Sequence, residues 1–145
     1  MNVDLMCLMK LENMSEFNFK SSVCTNKIQS ERLLALGLKK ETADCYFFYC
    51  DIAKEWKCTI LSSTQVFKDY PTTVIPAWSL GRLIEICGED RLPISFHKKG
   101  KVKIRVNHIH PTHDGRSGYN YYDSIIDCIE WLIKEGYFNK EYLEE

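Results

Sequence analysis

Apolar residues recur at helical spacing in three stretches of this chain, and each stretch runs into a glycine. From Tyr121 to Glu135, Ile125, Ile126, Ile129, Leu132 and Ile133 form one stripe of a helix, and Gly136 follows as its stop. Asn120 stands where a cap is wanted, with Asp123 three residues on to complete a capping box. From Trp78 to Cys87, Leu80, Leu83, Ile84 and Cys87 repeat in the same way before Gly88. Ser30 to Leu36 presents Leu33 and Leu34, with Ile28 as an extension of that face, and ends at Gly37. Lys39 to Cys45 predicts a further short helix, with Glu41 near its positive end.

Elsewhere the period changes. In Lys101 to Val106, Val102, Ile104 and Val106 point one way while Lys101, Lys103 and Arg105 point the other. Paired with Pro93 to His97 through Lys98, Lys99 and Gly100, this segment predicts a hairpin over 93–106. Lys57 to Ser62 reads as a strand, and Tyr70 to Pro76 as an extended approach to the next helix. Cys45 to Cys50 is continuously apolar, which leaves helix and buried strand both open. Residues 107 to 119 read as a polar loop, and 139 to 145 as one more turn. Strands and helices do not alternate regularly. The predicted class is therefore α+β, a small antiparallel sheet packed with three or four helices.

A chain of 145 residues is long enough to bury about two thirds of its unfolded surface in one core. The organisation read from it is a poorly patterned arm, 1–26, and a single domain, 27–145; Met6, Met9 and Met14 are each alternative starts within the arm. Formal net charge is −1, which gives no global attraction to nucleic acid or to an anionic membrane. No apolar run approaches the roughly 18 residues of a membrane span. Seven cysteines (Cys7, Cys24, Cys45, Cys50, Cys58, Cys87 and Cys128) make an odd set with no C-x-x-C spacing, so reduced thiols are expected, several as core residues. Asp4 sits where the basic region of a secretory signal belongs, and the expected location is cytoplasmic.

Few residues carry candidate chemistry. His108, His110 and His113, followed by Asp114, could converge as imidazole ligands for zinc or nickel if the strand runs on to His110. Lys98, Lys99, Lys101, Lys103 and Arg105 could contact phosphates, or could be the solvated face of an edge hairpin whose lysines block strand addition. Trp78 reads as a core anchor rather than an exposed recognition residue. Ser79 lacks the setting of a nucleophile elbow, and Asp123, Asp127 and Glu130 are expected on a solvated helix face. No catalytic, cofactor-binding or metal residue is assigned on these patterns.

Three blocks, LLALGL with ETAD, IPAWSLGRLIE, and IEWLIKEGY, resemble a family of small uncharacterised proteins. Its members come from gut bacteria of the Bacteroides group, their phages and integrated mobile elements. The resemblance covers about residues 27 to 138 and is most specific at PAWSL. Lys39 and Lys40 stand where a proline often precedes the ETAD-like turn. The resemblance implies a genomic setting and no chemistry. The expectation is a non-enzymatic module, without cofactor, that contacts a protein partner of a host or mobile element. The alternatives are a nucleic-acid-binding accessory protein using the basic hairpin 98–105, and a metal-binding protein using His108, His110 and His113.

Overall fold

Asn26 opens helix α1 (Lys27–Ala35) by accepting the Gln29 N–H at 2.8 Å, while the Gln29 side chain accepts the Asn26 N–H at 2.9 Å. This capping box starts the helix at Lys27, ahead of the predicted Ser30, because two orphan donors are satisfied there. The computed structural model describes residues 21–88, 94–106, 113–114 and 120–145, the pair 113–114 by backbone alone. At its other end α1 closes on Gly37, whose φ of +95° lets Leu38 N–H reach back to Leu33 C=O.

A 3-10 turn, Lys40–Thr42, replaces the predicted helix through Cys45. The Thr42 hydroxyl donates to Lys39 C=O, and the chain then enters a sheet. Strands β1 (Cys45–Cys50), β2 (Glu55–Ile60) and β3 (Val74–Ala77) pair antiparallel in the order β2-β1-β3. The ambiguous run Cys45–Cys50 is thus the central strand, and neighbours on both sides settle its conformation. A short helix the sequence pattern did not predict, α2 (Gln65–Asp69), buries Phe67. Helix α3 (Leu80–Ile86) begins after Trp78 because Ser79 caps it, accepting the Arg82 N–H at 3.1 Å.

The predicted hairpin is present. Strands β4 (Ile94–His97) and β5 (Lys101–Ile104) pair in the register Ile94 with Ile104 through His97 with Lys101, across a turn at Lys98–Gly100. A two-residue strand, β6 (His113–Asp114), pairs with the other side of β5, so part of the expected loop 107–119 is sheet. The last helix, α4 (Tyr121–Lys134), is capped by Asn120, whose side chain accepts the Tyr122 N–H. A 3-10 turn, Lys140–Tyr142, follows, and Leu143 bridges back to Leu38. Among the described residues, two small antiparallel sheets and four helices make the class α+β.

The main core lies between α4, α3, α1 and one face of each sheet. Ile125, Ile126, Ile129 and Leu132 of α4 are fully buried against Val102 and Ile104 of β5. From the first sheet this core takes Tyr46, Phe48 and Cys50, the alternate residues of β1.

Three sequence expectations change. Asp123 does not close a capping box; it accepts the Gln29 side-chain amide at 2.8 Å. Asp127 and Glu130 do not sit on an idle solvated face, because Arg32 of α1 donates to both and ties α1 to α4. The lysines of β5 do not guard an edge, because β5 is the middle strand of its sheet. Cys24 and Thr25, just ahead of α1, are buried.

Candidate functional site

The first sheet turns an unusual face away from the main core. In β2 the alternation runs against the usual order: Glu55, Lys57 and Thr59 share the side of Cys50, Phe48 and Tyr46, whereas Trp56, Cys58 and Ile60 pair with Tyr49, Phe47 and Cys45 on the opposite side. Strand β3 adds Ile75 and Ala77 to that opposite side, opposite Phe47 and Cys45. All three strands therefore present apolar side chains there, and the two halves of this face differ in cover.

Cys24, Cys45, Phe47 and Ala77 form a second, separate buried cluster, with Cys58 and Ile75 packed on it. Cys24 is carried onto the sheet by the segment before α1: Thr25 N–H donates to Trp78 C=O at 2.8 Å, next to Ala77. The sulfurs of Cys24, Cys45 and Cys58 all lie within 4.8 Å of one another. Cys24 and Cys58 are joined as a disulfide, and Cys45 is a thiol. Cys50, on the core side of β1, is also disulfide-bonded. The expectation of uniformly reduced cysteines is corrected here. Cys24 and Cys58 stand 34 positions apart, and only the docking of 24–25 on Trp78 brings them together. Cys87 and Cys128 keep the expected role of small core residues.

Beyond the cysteines the same face is open. Tyr49 is 43%, Trp56 38% and Ile60 72% exposed, and the Tyr49 and Trp56 rings meet edge to face with centroids 5.9 Å apart. The Lys27 ammonium lies 5.0 Å from the centre of the Trp56 ring, a cation–π contact. Strand β2 has no neighbour on its outer side among the described residues. An edge that ends in exposed apolar side chains is prone to strand addition.

The other candidates are placed as follows. His108 and His110 lie outside the described residues, and His113 is described only as the backbone partner of Ile104. Lys101 and Lys103 share one face of β5 with Ser95 and His97 of β4, opposite the face that α4 covers. Lys98 and Lys99 occupy the turn beside them, and Arg105 follows the strand. Trp78 is fully buried, its indole N–H donating to the Thr42 hydroxyl at 2.9 Å, as a core anchor should. Ser79 is committed to capping α3; its N–H donates to Asp44 at 2.8 Å and its hydroxyl bonds the same carboxylate. A cleft of about 310 Å³ lies between α1, α2 and β3, lined by Leu34, Phe67, Val74 and Ile75 with Glu31 and Lys40 at its sides. It holds no cysteine or histidine beside a second catalytic group.

The cysteine trio was missed because its sequence spacing, 21 and 13 residues, fits no known ligand pattern. A usable signal was present: with Cys45–Cys50 and Glu55–Ile60 paired as a hairpin, Cys45 and Cys58 become diagonal neighbours on one face. Among the described residues no helix is long and apolar enough to cross a membrane. No protein-family model, curated protein or solved structure matches the chain.

Proposed function

We propose that this chain is a non-enzymatic interaction module that binds an extended segment of a partner protein along the outer edge of β2. One observation carries the reading: Trp56 and Ile60 are exposed on a strand that has no outer neighbour among the described residues, on a face that is apolar across three strands. An added strand would pair with the outward N–H and C=O groups of that edge, and its alternate side chains would pack beside Trp56 and Ile60. The Trp56 ring, already held edge to face by Tyr49 and under the Lys27 ammonium, loses little side-chain freedom on binding. A phage or mobile-element setting rests on the three resembling sequence blocks alone.

The test is affinity capture from host lysate with wild-type protein and with Ile60→Lys, Trp56→Ser and Tyr137→Ser. Tyr137 is exposed on a different part of the molecule. A stoichiometric partner that is retained by Tyr137→Ser and lost at least tenfold by Ile60→Lys supports the site (about 1.4 kcal/mol). Capture that ignores Ile60→Lys and Trp56→Ser, or cross-links at Ile60 that join only copies of this chain, overturns it.

A second reading has one observation behind it. Lys101 and Lys103, both half-buried, share one sheet face with His97, and Lys98 and Lys99 lie in the turn beside it, a local run of positive charge of the kind that contacts a nucleic-acid backbone. Retention on single-stranded DNA or RNA that weakens steeply with salt, and is reduced by Lys101→Gln with Lys103→Gln, supports it. No retention at low ionic strength removes it.

A further inference from the structure

The trio Cys24, Cys45 and Cys58 has more sulfur than one disulfide needs. Three sulfurs within 4.8 Å of one another come from three separate parts of the chain: the segment before α1, the first residue of β1 and the middle of β2. Cys24 and Cys45 are 2% and 1% exposed, and Cys58 is half-buried, so the trio has one side toward solvent. Phe47, Ile75 and Ala77 wall it in. Two of the three positions are fixed by the register of β1 and β2, and the third by the Thr25 bond to Trp78. The site is therefore held by the fold and not by the S–S bond alone.

We propose that, when the Cys24–Cys58 bond is reduced, Cys24, Cys45 and Cys58 bind a single thiophilic d10 metal ion, Cu(I) or Zn(II), as sulfur ligands. The geometry fits. With metal–sulfur bonds of about 2.3 Å, the sulfurs of a trigonal or tetrahedral site stand roughly 4 Å apart. The observed cluster reaches that spacing with small side-chain rotations. The Cα atoms of Cys24 and Cys58 are 7.0 Å apart, at the outer limit of what a disulfide spans, and a sulfur–metal–sulfur link bridges that separation with an atom to spare. Ligand softness points the same way, since thiolates select Cu(I) and Zn(II) over the hard cations. The half-buried side at Cys58 provides the route of entry and, for Zn(II), room for a fourth ligand from solvent.

The two states exclude each other. A dithiol reductant attacks the Cys24–Cys58 bond, forms a mixed disulfide, and leaves as its own cyclic disulfide with two protein thiols in place of the bond. The metal ion then displaces thiol protons as it binds. A disulfide-class oxidant reverses the change: the sulfurs of Cys24 and Cys58 give up two electrons to it, rejoin and release the ion. A reducing compartment favours the metal-binding form.

The experiment uses the full chain, reduced with a phosphine and freed of metal, titrated separately with Zn(II) and Cu(I) against chromophoric chelators. Native mass spectrometry counts bound ions. Cd(II) substitution gives a thiolate-to-metal charge-transfer band whose intensity reports the number of sulfur ligands. The expected result is one ion per reduced chain at this site with three sulfur ligands, no such binding with the disulfide intact, and at least tenfold weaker binding by Cys45→Ser. Cys87→Ser lies elsewhere in the core and should bind as wild type. X-ray absorption on the wild type counts sulfur neighbours directly, so the test survives if Cys45→Ser fails to fold. An ion with nitrogen or oxygen neighbours only, as the histidines at 108–113 would give, overturns the proposal. So does equal binding by the disulfide form, or no binding of either ion by the reduced chain.

Discussion

Thr25 and Trp78 hold each other by two hydrogen bonds: Thr25 N–H donates to Trp78 C=O at 2.8 Å, and Trp78 N–H donates to the Thr25 hydroxyl at 3.1 Å. Both residues are fully buried, and the Thr25 hydroxyl lies 2.7 Å from that of Ser30 at the start of α1. This clamp joins the segment before α1 to the end of β3, and it sets Cys24 over the apolar sheet face.

Thr25→Val keeps the shape and removes the acceptor, leaving a buried Trp78 N–H unpaired. The expected loss is about 1–3 kcal/mol by urea denaturation. Thr25→Ser keeps the hydroxyl and should lose less, and a Thr25→Val protein as stable as wild type would show that the clamp is not needed.

Gly37 and Gly136 end α1 and α4 with φ of +95° and +78°, and an added Cβ meets nothing within 4 Å at either. The cost of Gly37→Ala is then conformational, about 1–2 kcal/mol. Gly37→Asn should recover part of it, since asparagine tolerates the left-handed region. Equal stability of Gly37→Ala and wild type would contradict the observed turn.

Arg32 bridges Asp127 at 2.5 Å and Glu130 at 2.8 Å, with side-chain exposures of 34%, 15% and 54%. Burial lowers the Arg32 value, but the bonds to Asp127 and then Glu130 outweigh it and leave it raised. A double-mutant cycle of Arg32→Gln with Asp127→Asn should give a coupling of about 1 kcal/mol that shrinks in high salt. The cycle with Glu130→Gln should give less, because that pair is more open to water. Equal coupling in both cycles would mean that burial does not grade these two pairs.

Cys87 is buried beside Cys128; burial first, and the neighbouring thiol second, push its value well above the ordinary 9.0. Burial likewise raises Tyr46 and Tyr122 above 10.0. Raised acids hold their protons longer when folded, so their contribution is complete below the unfolded values and is lost as pH climbs. Stability should fall from about pH 9 upward, by at most about 1.4 kcal/mol per pH unit for each group. Cys87→Ala should flatten the first part of that fall, although it also leaves a cavity; a flat wild-type profile to pH 11 would refute the assignment.

Much of the architecture was legible in local pattern. The stripe Ile125, Ile126, Ile129 and Leu132, the caps Asn120 and Gly136, and the alternation Val102, Ile104 and Val106 each follow from the spacing of neighbouring residues. The folded chain keeps them because burial rewards that spacing directly. What failed was also local in cause. The Asn26 capping box and α2 are short signals, and Asp123 was drawn away from its helix end by Gln29, 94 positions earlier.

The candidate sites obeyed a different rule. Composition and period along the chain settled that α4 and the 94–104 hairpin would form and which of their faces would be buried. Those choices depend on residues within a few positions of one another. Three-dimensional packing settled that β2 would turn Trp56, Cys58 and Ile60 away from the main core, and that Cys24, Cys45 and Cys58 would meet. Those outcomes depend on strand register and on the bond between Thr25 and Trp78, 53 positions apart. Contacts at that separation leave no periodic trace in a sequence, because no local spacing encodes which distant strand a segment will pair with.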